Sequence, residues 1–383
     1  MEEQETMRSK LMLLAAIALA PLCVGAQELA HEKAVGNLEV VATFNGPMPT
    51  GVAVSNDGRV FVNFPRWGDE KTHPDFFTVG EVKNGKTVPY PSAEMNKGDP
   101  NRAAQTLLAA QTVVVDPTGK RLWIVDTGNG FGDLREGGPK LVAVDLASNK
   151  VVKTIPIPLS VAVPGTYLND VRFDLERGPQ GTAFITDSGT TGIIIVDIAS
   201  GKSWRRLQNH ATTQPEPAYM PVYEGQVLYR DGKRFQIGSD GIALSPDAKW
   251  LYYSVLSGRH LFRVSVDALA DPQKSDAEIA RTIEDLGEKG GSADGLEADA
   301  EGRIYITDFE NNSIHRRKVD GTLETLVSDP RLLWPDTLAL AANGFMYVTA
   351  NQIGRQARFQ GKDLRQKPYV VFRFKVDGKR ISQ

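Results

Sequence analysis

The chain has 383 residues, of which 41% are hydrophobic and 24% are charged, and its formal net charge is −3. These values are typical of a globular protein with a buried core. They exclude a strongly basic surface, so we expect no nucleic acid partner. The 36 glycines and 22 prolines supply turn residues for many short strands, which favours an all-β fold.

The first residues have the pattern of an export signal. The apolar run Leu11–Leu22 follows two basic residues and precedes the small residues Val24-Gly25-Ala26. The run is shorter than the roughly 20 residues that span a bilayer, and it fits the apolar part of a secretory signal. We predict a signal peptide at residues 1–26 and one domain at residues 27–383. The product is expected to be periplasmic or secreted, without a membrane segment after cleavage; the alternative is a buried N-terminal helix.

One sequence pattern occurs six times along the chain. Each copy has two short arms of alternating apolar residues around an Asp, Asn or Gly turn, which is typical of a β-hairpin. The copies begin at Thr50, Gln111, Asn169, Asp240, Asp294 and Asp336. Further strands are predicted between copies, at Leu141–Asp145, Gly192–Asp197 and His260–Val264. Two hairpins for each repeat predict a six-bladed β-propeller with four-stranded blades.

The two ends of the chain are predicted to pair. Only one clear strand, Tyr369–Val376, follows the last copy, and Leu38–Phe44 precedes the first copy without a partner. A propeller must close to remove its edge strands, so we predict that the N-terminal strand completes the sixth blade. The alternative is fraying at both ends.

Two segments do not fit the repeat. Residues Asp69–Asn101 contain four prolines, and we interpret them as a long loop that is a candidate lid. Residues Asp271–Lys289 are polar with helical spacing and are interpreted as an insertion between strands.

The residues that open the six copies define the predicted site. If the first arm of each copy is the innermost strand, these residues, which we call the ring residues, meet at one mouth of the channel. Converging carboxylates raise one another's pKa unless a proton or cation lies between them, and a set of oxygen ligands suits Ca²⁺ or Mg²⁺. We therefore predict a cation site at Asn169, Asp240 and Asp294, and ligand contacts from Thr50, Gln111, Asn169 and Asp336. The alternative is that the aspartates bind only local backbone.

Other polar residues lie close to that mouth in the predicted fold. Asp126, Asp187 and Asp308 end the second arms of three copies, where a turn-capping role is favoured. Arg66 and Trp67 follow the second arm of the first copy and are predicted to bind an anionic or aromatic ligand. The alternative for this pair is a salt bridge with packing.

Several familiar chemistries lack support in the sequence. It contains no P-loop, no dinucleotide glycine fingerprint and no Gly-x-Ser-x-Gly elbow, and its five histidines show no paired spacing for a metal. We expect no nucleotide, flavin or haem cofactor.

Several motifs resemble, in order, those of the Yellow/major royal jelly protein family. They are Phe61–Trp67, Leu122–Gly128, Tyr167–Val171, Ala183–Gly189 and Trp334–Asp336. The resemblance implies a secreted six-bladed propeller that holds small molecules in its channel. Dopachrome isomerisation is attributed to some insect members, and others are similar to binding or storage proteins. The short loops and the single cysteine, Cys23 within the signal, resemble a bacterial member.

A more distant resemblance is to the gluconolactonase/senescence-marker lactonases, which hold a metal through a Glu, an Asn and an Asp. Asp240 lies where the lactonase Asn would be, and Asp294 matches the lactonase Asp. Asn169 resembles the Asn on the substrate side. Thr50 stands where the Glu would be, which argues against lactonase activity.

These observations favour an exported propeller that binds a small cyclic or aromatic molecule at the channel mouth. The alternative is a divalent-cation-dependent, lactonase-like hydrolase or a dopachrome-type isomerase (a tautomerase), with Asp240 and Asp294 as the candidate catalytic residues. A protein-interaction scaffold is a third possibility, since propellers serve many roles.

Overall fold

Antiparallel strands dominate the computed structural model, which describes residues 34–67 and 76–383. The predicted signal peptide lies outside the described residues. The strands form six four-stranded sheets and two small hairpins, so the prediction of an all-β, six-bladed propeller is confirmed.

Each of the first five blades consists of four consecutive strands, and the chain reaches them after strand β1 (Glu39–Phe44). Blade 1 contains β2 (Gly51–Val54), β3 (Val60–Asn63), β4 (Val79–Lys83) and β5 (Lys86–Pro89). Blade 2 contains β6 (Ala110–Val115), β7 (Arg121–Asp126), β8 (Lys140–Asp145) and β9 (Lys150–Pro156). Blade 3 contains β10 (Leu168–Asp174), β11 (Thr182–Asp187), β12 (Ile193–Asp197) and β13 (Ser203–Arg206).

The two small hairpins lie between blades 3 and 4 in the chain. They are formed by β14 (Val222–Tyr223), β15 (Gln226–Val227), β16 (Tyr229–Arg230) and β17 (Lys233–Arg234). Blade 4 contains β18 (Ser239–Leu244), β19 (Trp250–Val255), β20 (His260–Ser265) and β21 (Glu284–Glu288). Blade 5 contains β22 (Leu296–Ala298), β23 (Ile304–Asp308), β24 (Ser313–Arg317) and β25 (Leu323–Ser328). Blade 6 contains β26 (Pro335–Leu340), β27 (Phe345–Ala350) and β28 (Tyr369–Lys375).

The helices are short and lie in connections. They are α1 (Val266–Ala270), α2 (Asp276–Ala280) and α3 (Ala357–Gln360), with single 3₁₀ turns at Met95–Lys97, Pro100–Arg102 and Ile353–Arg355. Within the described ranges, no helix has the length and apolar composition needed to cross a bilayer.

Strand β1 closes the sixth blade, as the sequence predicts. It pairs antiparallel with β28, with Phe44 opposite Tyr369 and Val40 opposite Phe372, and the blade has the order β1-β28-β27-β26. The first and last parts of the fold are therefore held together by backbone hydrogen bonds, and the edge of β28 is covered.

The first strand of each blade lies innermost. β2 contacts β6 and β26, β10 contacts β6 and β18, and β22 contacts β18 and β26, which completes a closed circle around one axis. Six buried apolar clusters fill the spaces between neighbouring blades. Ala183 and Ile185 of β11 pack towards blade 2, whereas Phe184 packs towards blade 4. Because both faces of a blade are buried, its inner strands are apolar on both sides.

The prediction of a long loop at Asp69–Asn101 is wrong for residues 76–101, the part of the segment that the structure describes. It contains β4 and β5, the two outer strands of blade 1, joined by Asn84 (φ 51°) and Gly85 (φ 74°). An Asn-Gly pair with positive φ angles forms the two-residue turn that hairpins favour. Likewise, the predicted insertion at Asp271–Lys289 contains α2 and also β21, the outer strand of blade 4.

The segment 377–383 lies across the opposite end of the innermost strands. The Arg380 guanidinium donates to the carbonyl of Val115 at 2.8 Å and to Asn56 Oδ1 at 2.7 Å, and it also contacts the carbonyl of Asp116. The segment therefore links blades 1 and 2 at that end, away from the ring residues.

Candidate functional site

A cavity of about 340 Å³ lies at the end of the channel where the innermost strands begin. We call it the channel cavity. Five of the six ring residues line it: Gln111, Asn169, Asp240, Asp294 and Asp336. The radial arrangement thus brings together polar side chains from five blades, and the volume is that of a site for a small molecule.

Thr50 does not line this cavity. Its side chain is fully buried, where it accepts a hydrogen bond from Asn63 Nδ2 at 2.9 Å and donates a long one to the Gln111 carbonyl at 3.4 Å. Its oxygen is therefore used within the wall of the channel.

Irregularities in the strand register lie at the ring residues of four blades. The pairing of β10 with β11 shifts between Leu168 and Val171, and β6, β18 and β26 shift at the matching positions. A β-bulge places an extra residue in one strand and redirects its side chain. The backbone N–H of Asp170, freed by the bulge, donates to Thr186 Oγ1 at 3.2 Å, and Thr349 does the same for Thr337 at 3.1 Å.

The half of the channel cavity formed by blades 1 to 3 is neutral and internally hydrogen-bonded. Trp67 Nε1 donates to the Tyr167 hydroxyl at 2.7 Å, which donates to Gln111 Oε1 at 2.5 Å. Gln111 Nε2 donates to Asn169 Oδ1 at 3.0 Å, and Asn169 Nδ2 donates to Ser188 Oγ at 3.3 Å. Most of the polar groups here are therefore already paired with one another.

The half formed by blades 4 to 6, which we call the acidic half, contains three carboxylates. Trp334 Nε1 donates to Asp294 Oδ2 at 2.7 Å, and Asn351 Nδ2 donates to Asp336 Oδ2 at 2.7 Å. Within the described residues, neither Asp240, Asp294 nor Asp336 has a Lys, Arg or His partner in a salt bridge. Among the described residues, no basic side chain therefore neutralises the carboxyls of the acidic half.

Burial and mutual repulsion make these carboxyls weak acids. Burial, followed by the charge of Asp294, raises the pKa of Asp240 well above its ordinary value. Burial raises the pKa of Asp294 to about 6, against the opposing effect of the Trp334 hydrogen bond. Burial and the charge of Asp294 likewise raise the pKa of Asp336. The carboxyls of Asp240 and Asp294 lie close enough to hydrogen-bond with each other, so the pair can hold a proton between them.

The predicted cation ligands all line the channel cavity, with Asn169 in the neutral half and Asp240 and Asp294 in the acidic half. All three offer oxygen atoms, as Ca²⁺ and Mg²⁺ require. Among the residues that the structure describes, no group of three or more His, Cys, Asp or Glu side chains is arranged around one point. A cation would therefore depend on two carboxylates and one amide, completed by water or ligand oxygen. These oxygen donors fit a hard cation, which would take few of its ligands from the protein.

Aromatic side chains form one wall of the channel cavity. Trp334 stacks on Phe309 with ring centroids 4.0 Å apart and also contacts Tyr223 and Phe235. The Trp334 backbone has φ 56°, which is rare for a bulky residue and costs conformational energy. Such a backbone persists only where the surrounding packing holds it. The packing around Trp334 thus fixes the indole that holds Asp294.

Two insertions supply lining residues that the sequence analysis does not predict. The hairpin β16–β17 and the residues after it contribute Arg230 and Phe235, and α3 contributes Arg358 and Phe359. The Phe235 and Phe359 rings meet edge to face at 5.2 Å. These strands and this helix are too short to give a periodic signal, so only the fold places them at the mouth.

Arg66 and Trp67 lie in different environments. Trp67 lines the channel cavity. Arg66 lies outside the lining, where its Nε donates to the Leu108 carbonyl at 2.8 Å and its guanidinium stacks between Phe76 and Phe131. The position of Arg66 agrees with the packing part of the alternative given for this pair in the sequence analysis.

The second set of aspartates caps turns, the role that the sequence favours. Asp126 accepts from the N–H groups of Leu108 and Gly128, and Asp187 accepts from those of Tyr167 and Gly189. Each is also neutralised, Asp126 by Lys140 at 2.6 Å and Asp187 by Arg205 at 2.6 Å. Asp308 caps its turn in the same way and contacts His315 Nε2 at 3.0 Å.

The fold is similar to that of solved propellers. Regucalcin, a calcium-binding protein from Agrobacterium tumefaciens, matches with a TM-score of 0.53 and 15% identity over 90% of this chain and 97% of its own. A gluconolactonase from Xanthomonas campestris matches with a TM-score of 0.51 and 11% identity over 91% of this chain and 99% of its own. At these identities the likeness concerns the fold alone.

Sequence relatives are found among insect proteins. Major royal jelly protein 3 of Apis mellifera is 26% identical over 226 residues, which cover 58% of this chain and 40% of the relative. L-dopachrome tautomerase yellow-f of Drosophila melanogaster is 28% identical over 158 residues, which cover 38% of this chain and 36% of the relative. The chain spans less than half of the length of these curated relatives. The family model described as Major royal jelly protein matches residues 108–376, more than half of the chain, and this range includes all the motifs quoted above except Phe61–Trp67. The chain belongs to the major royal jelly protein family.

Proposed function

We propose that this chain is an exported propeller that binds a small cyclic or aromatic molecule in the channel cavity. One observation carries the proposal: a cavity of about 340 Å³ combines an aromatic wall with three buried carboxylates that lack a neutralising side chain among the described residues. An aromatic wall offers ring stacking, and unneutralised carboxylates are strong acceptors for O–H, N–H or cationic groups. The preferred ligand therefore has a ring and a donor or cationic group that faces the acidic half.

Intrinsic fluorescence provides the binding assay, because Trp67 and Trp334 both line the cavity. Ring compounds that carry hydroxyl or amino groups should change tryptophan emission with saturable, one-to-one binding, confirmed by calorimetry. Asp240→Asn should weaken that binding about tenfold, the effect of losing one charge-assisted hydrogen bond. Asp247→Asn is the matched control, since Asp247 lies on the exposed hairpin turn of the same blade. Binding that Asp240→Asn leaves unchanged would contradict the proposed location.

Export is the second part of the proposal, and it depends on the sequence of residues 1–26. The mature protein isolated from the periplasm or medium of a bacterial host should begin at Gln27. A protein retained in the cytoplasm with an intact N-terminal segment would refute export.

A second candidate function is a cation-dependent hydrolase of the lactonase type or a dopachrome-type isomerase. The neighbouring carboxyls of Asp240 and Asp294 favour it, since such a pair can accept and return a proton. Asn169, Asp240 and Asp294 would hold Ca²⁺ or Mg²⁺, which when bound supplies polarisation of a carbonyl oxygen. Regucalcin and L-dopachrome tautomerase yellow-f lend support by likeness only.

The two candidates are separated by a melting experiment and a turnover assay. A cation at a hundredfold excess over its Kd should stabilise the protein by about 2.7 kcal/mol, and EDTA should reverse the change. The double variant Asp240→Ala, Asp294→Ala should lose this response. Turnover of a lactone or of dopachrome that depends on the same residues would establish an enzyme, whereas ligand binding without turnover would establish a binding protein.

A further inference from the structure

Two arginines from separate insertions meet at the solvent end of the channel cavity. Arg230 lies at the end of β16 and Arg358 lies in α3, and both line the cavity. The Arg358 side chain is 39% exposed, whereas Asp240 and Asp294 are only 3% and 7% exposed. The cavity therefore has carboxylates at its buried end and guanidinium groups at its open end.

The two insertions are held against each other by contacts that fix this arrangement. The Asp231 N–H donates to the Arg358 carbonyl at 2.8 Å, and the Arg358 guanidinium pairs with Asp231 at 3.0 Å. Gly354 packs against the Tyr223 ring, where a Cβ atom would come within 2.4 Å of a ring carbon. The arginines are thus presented by packed backbone and not by free loops.

Arg230 lacks the partners that the other arginines around it have. Arg355 is paired with Glu224, and Arg358 is paired with Asp231. Within residues 34–67 and 76–383, Arg230 has no carboxylate partner and no hydrogen-bond acceptor; its guanidinium lies over the Phe235 ring at 5.4 Å. Burial, together with repulsion from the Arg358 charge, lowers the pKa of Arg230. A partly buried cation beside a second cation, with unused donors, is an environment that an anion stabilises.

We propose that Arg230 and Arg358 form an anion subsite that binds the carboxylate of a ring-bearing ligand. This inference rests on the proposed function, because it assigns one end of the ligand in the same cavity. A guanidinium group matches a carboxylate through two parallel N–H donors. The acidic half repels an anion, so the carboxylate faces the open end while the ring lies between Trp67 and Phe235. The ligand class is then a cyclic or aromatic carboxylic acid with a donor group at its far end.

The test compares two probes of the same shape and different charge, 3-(4-hydroxyphenyl)propionate and its primary amide, by calorimetry and tryptophan emission. The carboxylate should bind more tightly than the amide, and its affinity should fall as salt is added. Arg230→Gln should weaken carboxylate binding about tenfold or more and leave amide binding unchanged. Arg230→Lys should retain part of the preference. Arg234→Gln is the matched control, since Arg234 lies on the same hairpin but outside the lining and contacts Met220 and Pro217.

The outcomes separate the two proposals. Equal binding of the two probes, or a preference for the amide, overturns the anion subsite and leaves the binding function standing. An equal loss for both probes in Arg230→Gln also overturns it, because a general disturbance of the cavity does not depend on charge. Binding of neither probe at millimolar concentration overturns the proposed function and the subsite with it.

Discussion

The ionised carboxylate of Asp294 should cost the folded protein stability, and Asp294→Asn should recover it. Burial raises the pKa of Asp294 from 3.8 to about 6. Each tenfold difference in proton affinity between the folded and unfolded chains corresponds to about 1.4 kcal/mol, so the cost of ionisation approaches 3 kcal/mol. Asn keeps an oxygen that accepts the Trp334 indole N–H, and its amide can donate to Asp240. The variant therefore removes charge while preserving the local hydrogen bond.

The pH dependence of this effect has a defined sign. Because the pKa of Asp294 is higher in the folded chain, the folded state binds more protons between about pH 4 and pH 6. The contribution of Asp294 to the free energy of unfolding should fall as the pH rises through that window and stay low above it. The gain from Asp294→Asn should be absent below about pH 4, grow through the window and reach its full size by about pH 7.

Urea unfolding at a series of pH values, in the presence of EDTA, measures this difference directly. Asp126→Asn is the control with the opposite sign: Asp126 is also fully buried but is neutralised by Lys140, and breaking such a pair costs about 3–5 kcal/mol. If Asp294→Asn and the wild-type protein unfold at the same urea concentration at about pH 8, then Asp294 bears no unfavourable charge and the electrostatic reasoning for the acidic half is refuted.

Three further changes test other parts of the structure. Lys140→Met leaves Asp126 buried without its cation and should lower the free energy of unfolding by about 3–5 kcal/mol; a loss below 1 kcal/mol in urea would contradict the pairing. Phe44→Ala removes a buried ring from the strand that closes blade 6 and should cost about 3–5 kcal/mol, and unchanged thermal unfolding would argue against closure by that strand. Gly354→Ala forces a methyl group against the Tyr223 ring and should weaken ligand binding measured by calorimetry. Its effect on the free energy of unfolding should be smaller than that of the two core substitutions, because the contact lies in an insertion. Unaltered affinity would show that the insertions do not shape the cavity.

Two features of the structure correspond to local sequence patterns from which they could be predicted. Threonines near the end of the second arm accept a hydrogen bond from the backbone N–H next to a ring residue in three repeats, as Thr186, Thr307 and Thr349. The turn Asn84-Gly85 similarly marked the outer hairpin of blade 1. Both are local patterns of turn or bulge chemistry, so they are open to prediction from the sequence.

Other features had no local signal. Thr50 opens its repeat like the other ring residues, yet its oxygen is used by Asn63 and the Gln111 backbone. Arg230 and Arg358 are far apart in the chain and belong to no repeat. Whether such residues face a cavity depends on contacts between distant segments, which periodicity does not encode.

The sequence by itself determined the propeller, its closure by the N-terminal strand and the identity of the ring residues. These follow from alternating apolar arms and from the need to cover every strand edge, both of which are local or topological constraints. The tertiary structure alone decided which polar groups remain unpaired. In blades 1 to 3, the neutral polar groups of the cavity are hydrogen-bonded to one another. The packing of Trp334 places carboxylates at the buried end of the cavity, and the two insertions place guanidinium groups at its open end. The balance of charge in a site depends on which distant side chains meet there, and only the folded chain settles that.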